Sequence, residues 1–176
     1  MTLLHHTRVQ DYARRFLLCR VEGVPDRFAL TFDDGPSPRN TPRLLELLER
    51  ERARATFFVL GRHVRRAPAL LREMAAAGHE IGLHGDGHWP LPLLHPAESL
   101  RQWRRAEDSI QGAAGVTPRL YRPPFGWLHP SQAALVTERG YRAVLGDVYP
   151  EDPRRPGVDV LIHRVMTRLT DRKSVV

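Results

Sequence analysis

Residues 29–38 read ALTFDDGPSP. An apolar run ends in two adjacent aspartates, and a Gly-Pro turn follows at once. Asp, Gly and Pro are common turn formers, so a capped turn accounts for the composition. It does not account for the charge. Two carboxylates this close repel, and one of them needs a cation or a proton nearby. A metal ligand beside a general base meets that need, and the rest of the chain decides between the two readings.

Outward from this stretch, short apolar strands alternate with amphipathic helices. Residues 27–32, 55–61, 79–84, 118–124 and 141–148 read as strands, and KSVV (173–176) as the start of another. Residues 40–52, 67–78, 96–115, 131–140 and 157–170 read as helices. Leucines recur at 44, 45, 47 and 48, Asn40 or Thr41 is placed to cap, and Gly78 to stop. The last helix carries apolar residues at 158, 161, 162, 165 and 169. Six strands at roughly 25-residue spacing predict an α/β domain with a mainly parallel sheet. A (β/α) barrel, distorted or incomplete and TIM-like, fits better than an open doubly wound sheet. Residues 1–26 read as a helical lead-in and 27–176 as the domain.

The 176 residues suit one domain with a real core, and 41% hydrophobic with 27% charged residues is ordinary for a folded protein. No apolar run approaches the ~20 residues that cross a bilayer. The first 23 residues lack a continuous apolar core and a small-residue cleavage site, so no signal peptide is read. The expectation is cytoplasmic, with an extracytoplasmic place still compatible. Cys19 is the only cysteine, which excludes an intrachain disulfide and a thiolate zinc site. The formal charge is +7, and Lys173 is the only lysine. The arginines are spread over polar helix faces without interleaved aromatics, as at Arg62, Arg65 and Arg66. No nucleic-acid partner is expected. Nothing in the sequence sets an oligomeric state.

The unusual residues fall where strands end. Asp33 and Asp34 follow the first strand, His84 and His88 the third, 122–126 (RPPFG) the fourth and Asp147 the fifth. Sites in barrels and open α/β sheets form at such C-terminal ends. In HGDGH (84–88) the glycines argue against a helix, and a Gly-rich turn can fold His88 back beside His84. Two imidazoles and one carboxylate, with Asp34 supplying the latter, make the three-ligand zinc set with an open fourth position.

TFDDGP (31–36), HGDGH after GHEIGL (78–83), and RPPFG occur in that order, and together they resemble the first three motifs of the polysaccharide deacetylases. That family is also called the NodB-homology or carbohydrate esterase 4 family. The resemblance runs from about Phe28 to the last residue. It departs at Gly85, where the family usually has Ser or Thr. The resemblance implies a metal-dependent hydrolase of non-peptide C–N bonds that removes N-acetyl groups from a carbohydrate. Chitooligosaccharide, peptidoglycan and a small acetylated amino sugar are all compatible as substrate. It implies Asp33 as catalytic base, Asp34, His84 and His88 as metal ligands, and Arg122 as the arginine orienting the base. It further implies the Phe125 N–H as oxyanion donor and Asp147 as the aspartate paired with Arg122, with Asp152 as its competitor. Zinc is expected from the ligand types, though cobalt, nickel or manganese suit a similar N/O site.

The family's fifth motif, apolar residues then His-Asp, supplies the proton for the leaving amine. Here KSVV aligns with the start of that strand and the sequence ends. The expectation is a domain cut short, with a catalytically impaired relative that binds metal and sugar as the alternative function. His163 in LIHR mimics the missing motif but lies inside a helix, and His129 is better placed just after RPPFGWL.

Overall fold

The computed structural model describes residues 17–18, 28–169 and 174–175. Its seven strands are β1 (Leu17–Leu18), β2 (Ala29–Gly35), β3 (Thr56–Val59), β4 (Glu80–Leu83), β5 (Leu120–Tyr121), β6 (Arg142–Val144) and β7 (Ser174–Val175). All six expected strands are present. β1 is additional and corrects part of the helical lead-in: Leu17 and Leu18 pair in parallel with Ala143 and Val144. The rest of 1–26, Cys19 included, lies outside the described residues. β5 is two residues long because prolines at 118, 123 and 124 bracket it and cannot donate to a ladder.

Every pairing is parallel, in the order β1-β6-β5-β4-β3-β2-β7. From β2 to β6 each strand lies beside the next one in sequence. An open doubly wound sheet would reverse direction at a switch point. This succession is that of a barrel, and among the described residues β1 and β7 are its unjoined ends. The architecture is an incomplete (β/α) barrel.

Among the described residues, six helices flank the sheet: α1 (Thr41–Arg50), α2 (Gly61–Arg66), α3 (Pro68–Ala76), α4 (Pro96–Ala114), α5 (Pro130–Glu138) and α6 (Val158–Arg168). Asn40 makes no side-chain cap; Thr41 Oγ1 instead accepts from the Ser37 N–H at 2.8 Å, closing the turn after the aspartates. α4 buries Ser99, Trp103, Ala106 and Ile110, one stripe at helical spacing. It stops at Gly115, whose φ of +67° suits glycine. The Trp103 ring lies 4.2 Å from Tyr121 and 4.9 Å from Tyr141, which pins α4 across the β5–β6 end of the sheet. Phe57, Leu71, Met74, Ile81 and Leu83 fill the core beside it.

α6 forms where its pattern predicts but buries no residue; Ile162 is 56% exposed. Its periodicity therefore contributes little to the core. Replacing the fully buried Ile110 with Ala should cost about 2–5 kcal/mol in urea unfolding. Ile162→Ala should stay within about 0.5 kcal/mol of the parent.

Candidate metal centre and active site

Successive side chains of a strand point to opposite faces, so two adjacent aspartates cannot both serve one site on a regular strand. β2 solves this with a bulge. Asp33 pairs with Phe58 and Gly35 with Val59, leaving Asp34 as the extra residue. Its φ of +66° is in the left-handed region, which Asp tolerates better than most residues. Bulges of this kind re-aim side chains beside active sites. Here Asp33 turns to Arg122 and Asp34 to the histidines.

Arg122 Nη1 donates to Asp33 Oδ1 at 2.7 Å and to Thr31 Oγ1 at 2.8 Å, and Nε donates to the Val144 carbonyl at 3.4 Å. The guanidinium lies 4.1 Å over the Phe58 ring, a cation–π contact in a buried place. Gly82 makes room for that ring: a Cβ there would stand 2.6 Å from it. Burial pulls the Arg122 pKa down and the Asp33 carboxylate pushes it back up. Asp147, expected on Arg122, lies exposed beyond β6. Asp152, its competitor, opens a short 3₁₀ turn.

His84 Nδ1 stands 2.6 Å from the Arg122 carbonyl. A carbonyl only accepts, so Nδ1 carries the proton and the Nε2 lone pair is free for a cation. Burial lowers the His84 pKa, against the opposing charge of Asp33, and so favours the neutral ligand form. His84 Nε2 lies 3.7 Å from Asp34 Oδ1, and His88 Nε2 lies 3.8 Å from the same oxygen. These gaps are too long for hydrogen bonds. Ligands bound tetrahedrally to zinc at about 2.0–2.2 Å stand roughly 3.3–3.6 Å apart, so the three atoms fit one shared cation. Asp34, His84 and His88 are the group whose ligand atoms fall within 4.8 Å of one another.

The Phe125 ring packs edge-on against His88 at 4.4 Å, and its backbone is left-handed at φ +61°. A bulky residue held there costs of order 1–3 kcal/mol. The Tyr149 hydroxyl pKa is raised, first by burial and then by Asp152, Asp33, Asp34 and Glu151. His163 is exposed on α6, as a helix position predicts, and His129 heads α5.

The polysaccharide deacetylase family model matches residues 21–144, most of the chain. The chain belongs to the polysaccharide deacetylase family. It is 36% identical over 147 residues to the peptidoglycan-N-acetylmuramic acid deacetylase PdaC of Bacillus subtilis (strain 168), covering 84% of this chain and 31% of PdaC. It is 39% identical over 141 residues to a chitooligosaccharide deacetylase of Bradyrhizobium sp. (strain ANU 289), covering 80% of this chain and 64% of the relative. The chain thus spans less than two thirds of either relative's length. A crystal structure of the Bc1960 peptidoglycan N-acetylglucosamine deacetylase, bound to a hydroxamate, superposes with a TM-score of 0.89 at 27% identity. That match covers 96% of this chain and 78% of the other.

Three residues of this family domain's site escaped the sequence reading. Thr31 shares Arg122 with Asp33. His63 Nδ1 meets the Asp34 carbonyl at 2.6 Å. Asp86, between the two histidines, is buried against Arg65 and Arg105. Only Asp86 carried a signal, as an acid enclosed by glycines in a histidine motif.

Substitution of Asp34, His84 or His88 by Ala should each abolish stoichiometric zinc binding, measured on the purified apo-protein by chelator competition. Wild-type zinc content in all three variants would refute the ligand set.

Proposed function

We propose that this chain is a zinc-dependent N-deacetylase acting on the acetamide of an acetylated amino sugar within a carbohydrate. The observation that supports it best is the bulge that splits two adjacent aspartates between a buried arginine and a histidine pair. One carboxylate is thereby held as a base, and the other joins a three-ligand group. The two named relatives act on peptidoglycan and chitooligosaccharide, and N-acetylated amino sugar is the chemistry common to them.

Asp34, His84 and His88 would hold the cation, whose chemistry when bound is Lewis acidity toward an acyl oxygen and a lowered pKa for water. Asp33 accepts the proton of the attacking water, its carboxylate aimed by Arg122. The Phe125 N–H donates to the oxygen that becomes negative as the acetamide carbonyl turns tetrahedral. One such donor is worth ~10²–10³ in rate. As the C–N bond breaks, the proton that Asp33 took from the water is the one that balances the leaving nitrogen, so a free amine and acetate are released. Phe125, packed on His88, flanks the position where the sugar would enter.

The test is acetate release from N-acetylglucosamine oligomers by the chain with added zinc or cobalt. Asp33→Asn should keep its zinc and lose about 10²–10⁴-fold in kcat, the usual range for a general base. Activity equal to the parent would remove Asp33 from that role. Zinc bound without acetate release from any N-acetylated sugar offered would instead identify the catalytically impaired relative.

A further inference from the structure

The ligands of the triad come from two places. Asp34 is on the bulge of β2, His84 and His88 are on the loop after β4, and β3 lies between these strands. The 3.7 and 3.8 Å gaps therefore depend on whatever fixes the bulge against the loop. The β3 ladder supplies part of this through Val59, which pairs with Gly35 on one side and Leu83 on the other and accepts the His84 N–H at 3.0 Å.

One short stretch after β3 touches both. The Leu60 N–H donates to the Gly35 carbonyl at 3.0 Å. The Gly61 N–H donates to the Gly85 carbonyl at 2.9 Å, and the Arg62 N–H to the Asp86 carbonyl at 3.0 Å. Arg65 grips the Asp86 carboxylate with both Nη atoms, at 2.5 and 3.1 Å. Gly61 has no room for a side chain, since a Cβ would stand 2.6 Å from Asp86 Oδ1 and 2.7 Å from Ala106 Cα. The N-terminal turn of α2 is thus wedged against the histidine loop by backbone and side chain together.

His63 completes the link on the other side. Its Nδ1 lies 2.6 Å from the Asp34 carbonyl, and because that oxygen only accepts, Nδ1 is the donor. Left-handed backbone at a non-glycine residue persists only where its surroundings over-determine it. With the Asp34 carbonyl held by His63 and the Gly35 carbonyl by Leu60, the bulge cannot rotate about its peptide units. The carboxylate it carries then stays aimed at the histidines.

We propose that His63 is a positioning residue for the metal triad. It acts through the backbone of Asp34 and, with residues 60–65, sets the spacing between the bulge and the histidine loop before a cation arrives. The inference rests on the assignment of Asp34, His84 and His88 as ligands. The role requires an N–H at the Nδ1 position, not an imidazole. Asn places an amide N–H close to that position, whereas Ala and Leu supply none, Leu keeping much of the bulk.

The experiment measures zinc affinity by chelator competition for the parent, His63→Ala, His63→Leu and His63→Asn. Apo-protein melting temperatures and cobalt(II) visible spectra are taken on the same samples. His63→Ala and His63→Leu should bind zinc about 10–100-fold more weakly, the range seen when groups behind metal ligands are removed. Their cobalt spectra should change, while His63→Asn recovers most of the affinity and the parent spectrum. A residue that only packs would lower the melting temperature and leave the affinity of the folded protein alone. Parent-like affinity in His63→Leu overturns the proposal, as does equal weakening in His63→Leu and His63→Asn. A parent chain that binds no zinc overturns the ligand assignment itself, and this proposal with it.

Discussion

Arg122 is the residue through which the site is assembled. Its N–H pairs with the Leu83 carbonyl at 2.9 Å, holding β5 to the end of β4. Its carbonyl orients His84, and its guanidinium holds Asp33 against Thr31 and the Val144 carbonyl. A buried cation is costly unless it is paired and hydrogen-bonded. The sheet therefore has to bring β2, β3 and β6 around the guanidinium, of which only Nη2 is left without a hydrogen-bond partner among the described residues. The same requirement sets the proposed base, Asp33, and the proposed ligand His84 at fixed places relative to one another. Base and ligand are thus coupled through one side chain and its own peptide group.

The adjacent aspartates pose a geometric conflict that the bulge resolves. A regular strand would bury one carboxylate and expel the other. The extra residue at Asp34 lets both turn to the same end of the barrel and separates their partners. Asp33 takes a permanent protein cation. Asp34 takes a place opposite two imidazoles, where a bound cation would complete the charge balance. The repulsion raised by FDDG in the sequence is thereby relieved twice, by different means.

Most of the fold was legible because β/α alternation is a periodic signal, and the triad was legible because its residues sit at strand ends. What was not legible depends on distance in space. β1 is two leucines long and has no period to read. His63 has an ordinary helical context, and only the folded chain brings it to Asp34, 29 residues earlier. Arg65 and Asp86 are 21 residues apart on different elements. The pairing of Asp147 with Arg122 came from resemblance, in a segment where the sequence departs from the family pattern. α6 shows the opposite limit: its apolar spacing is helical, yet periodicity says nothing of whether a face is covered.

Burial across the triad is graded, and the grading has a chemical sense. The His84 side chain is 2% exposed, that of His88 29% and that of Asp34 58%. A carboxylate loses far more solvation on burial than a neutral imidazole does, so the charged ligand belongs at the rim and the neutral one in the core. The deep ligand is also the one whose tautomer is fixed by a backbone carbonyl. The open side of the group then coincides with its most exposed ligand, beside the Phe125 ring that covers one flank of His88. A ligand approaching from solvent would meet the cation, the base and the Phe125 loop on one face. A cation held this way is reached from the solvent side without opening the core.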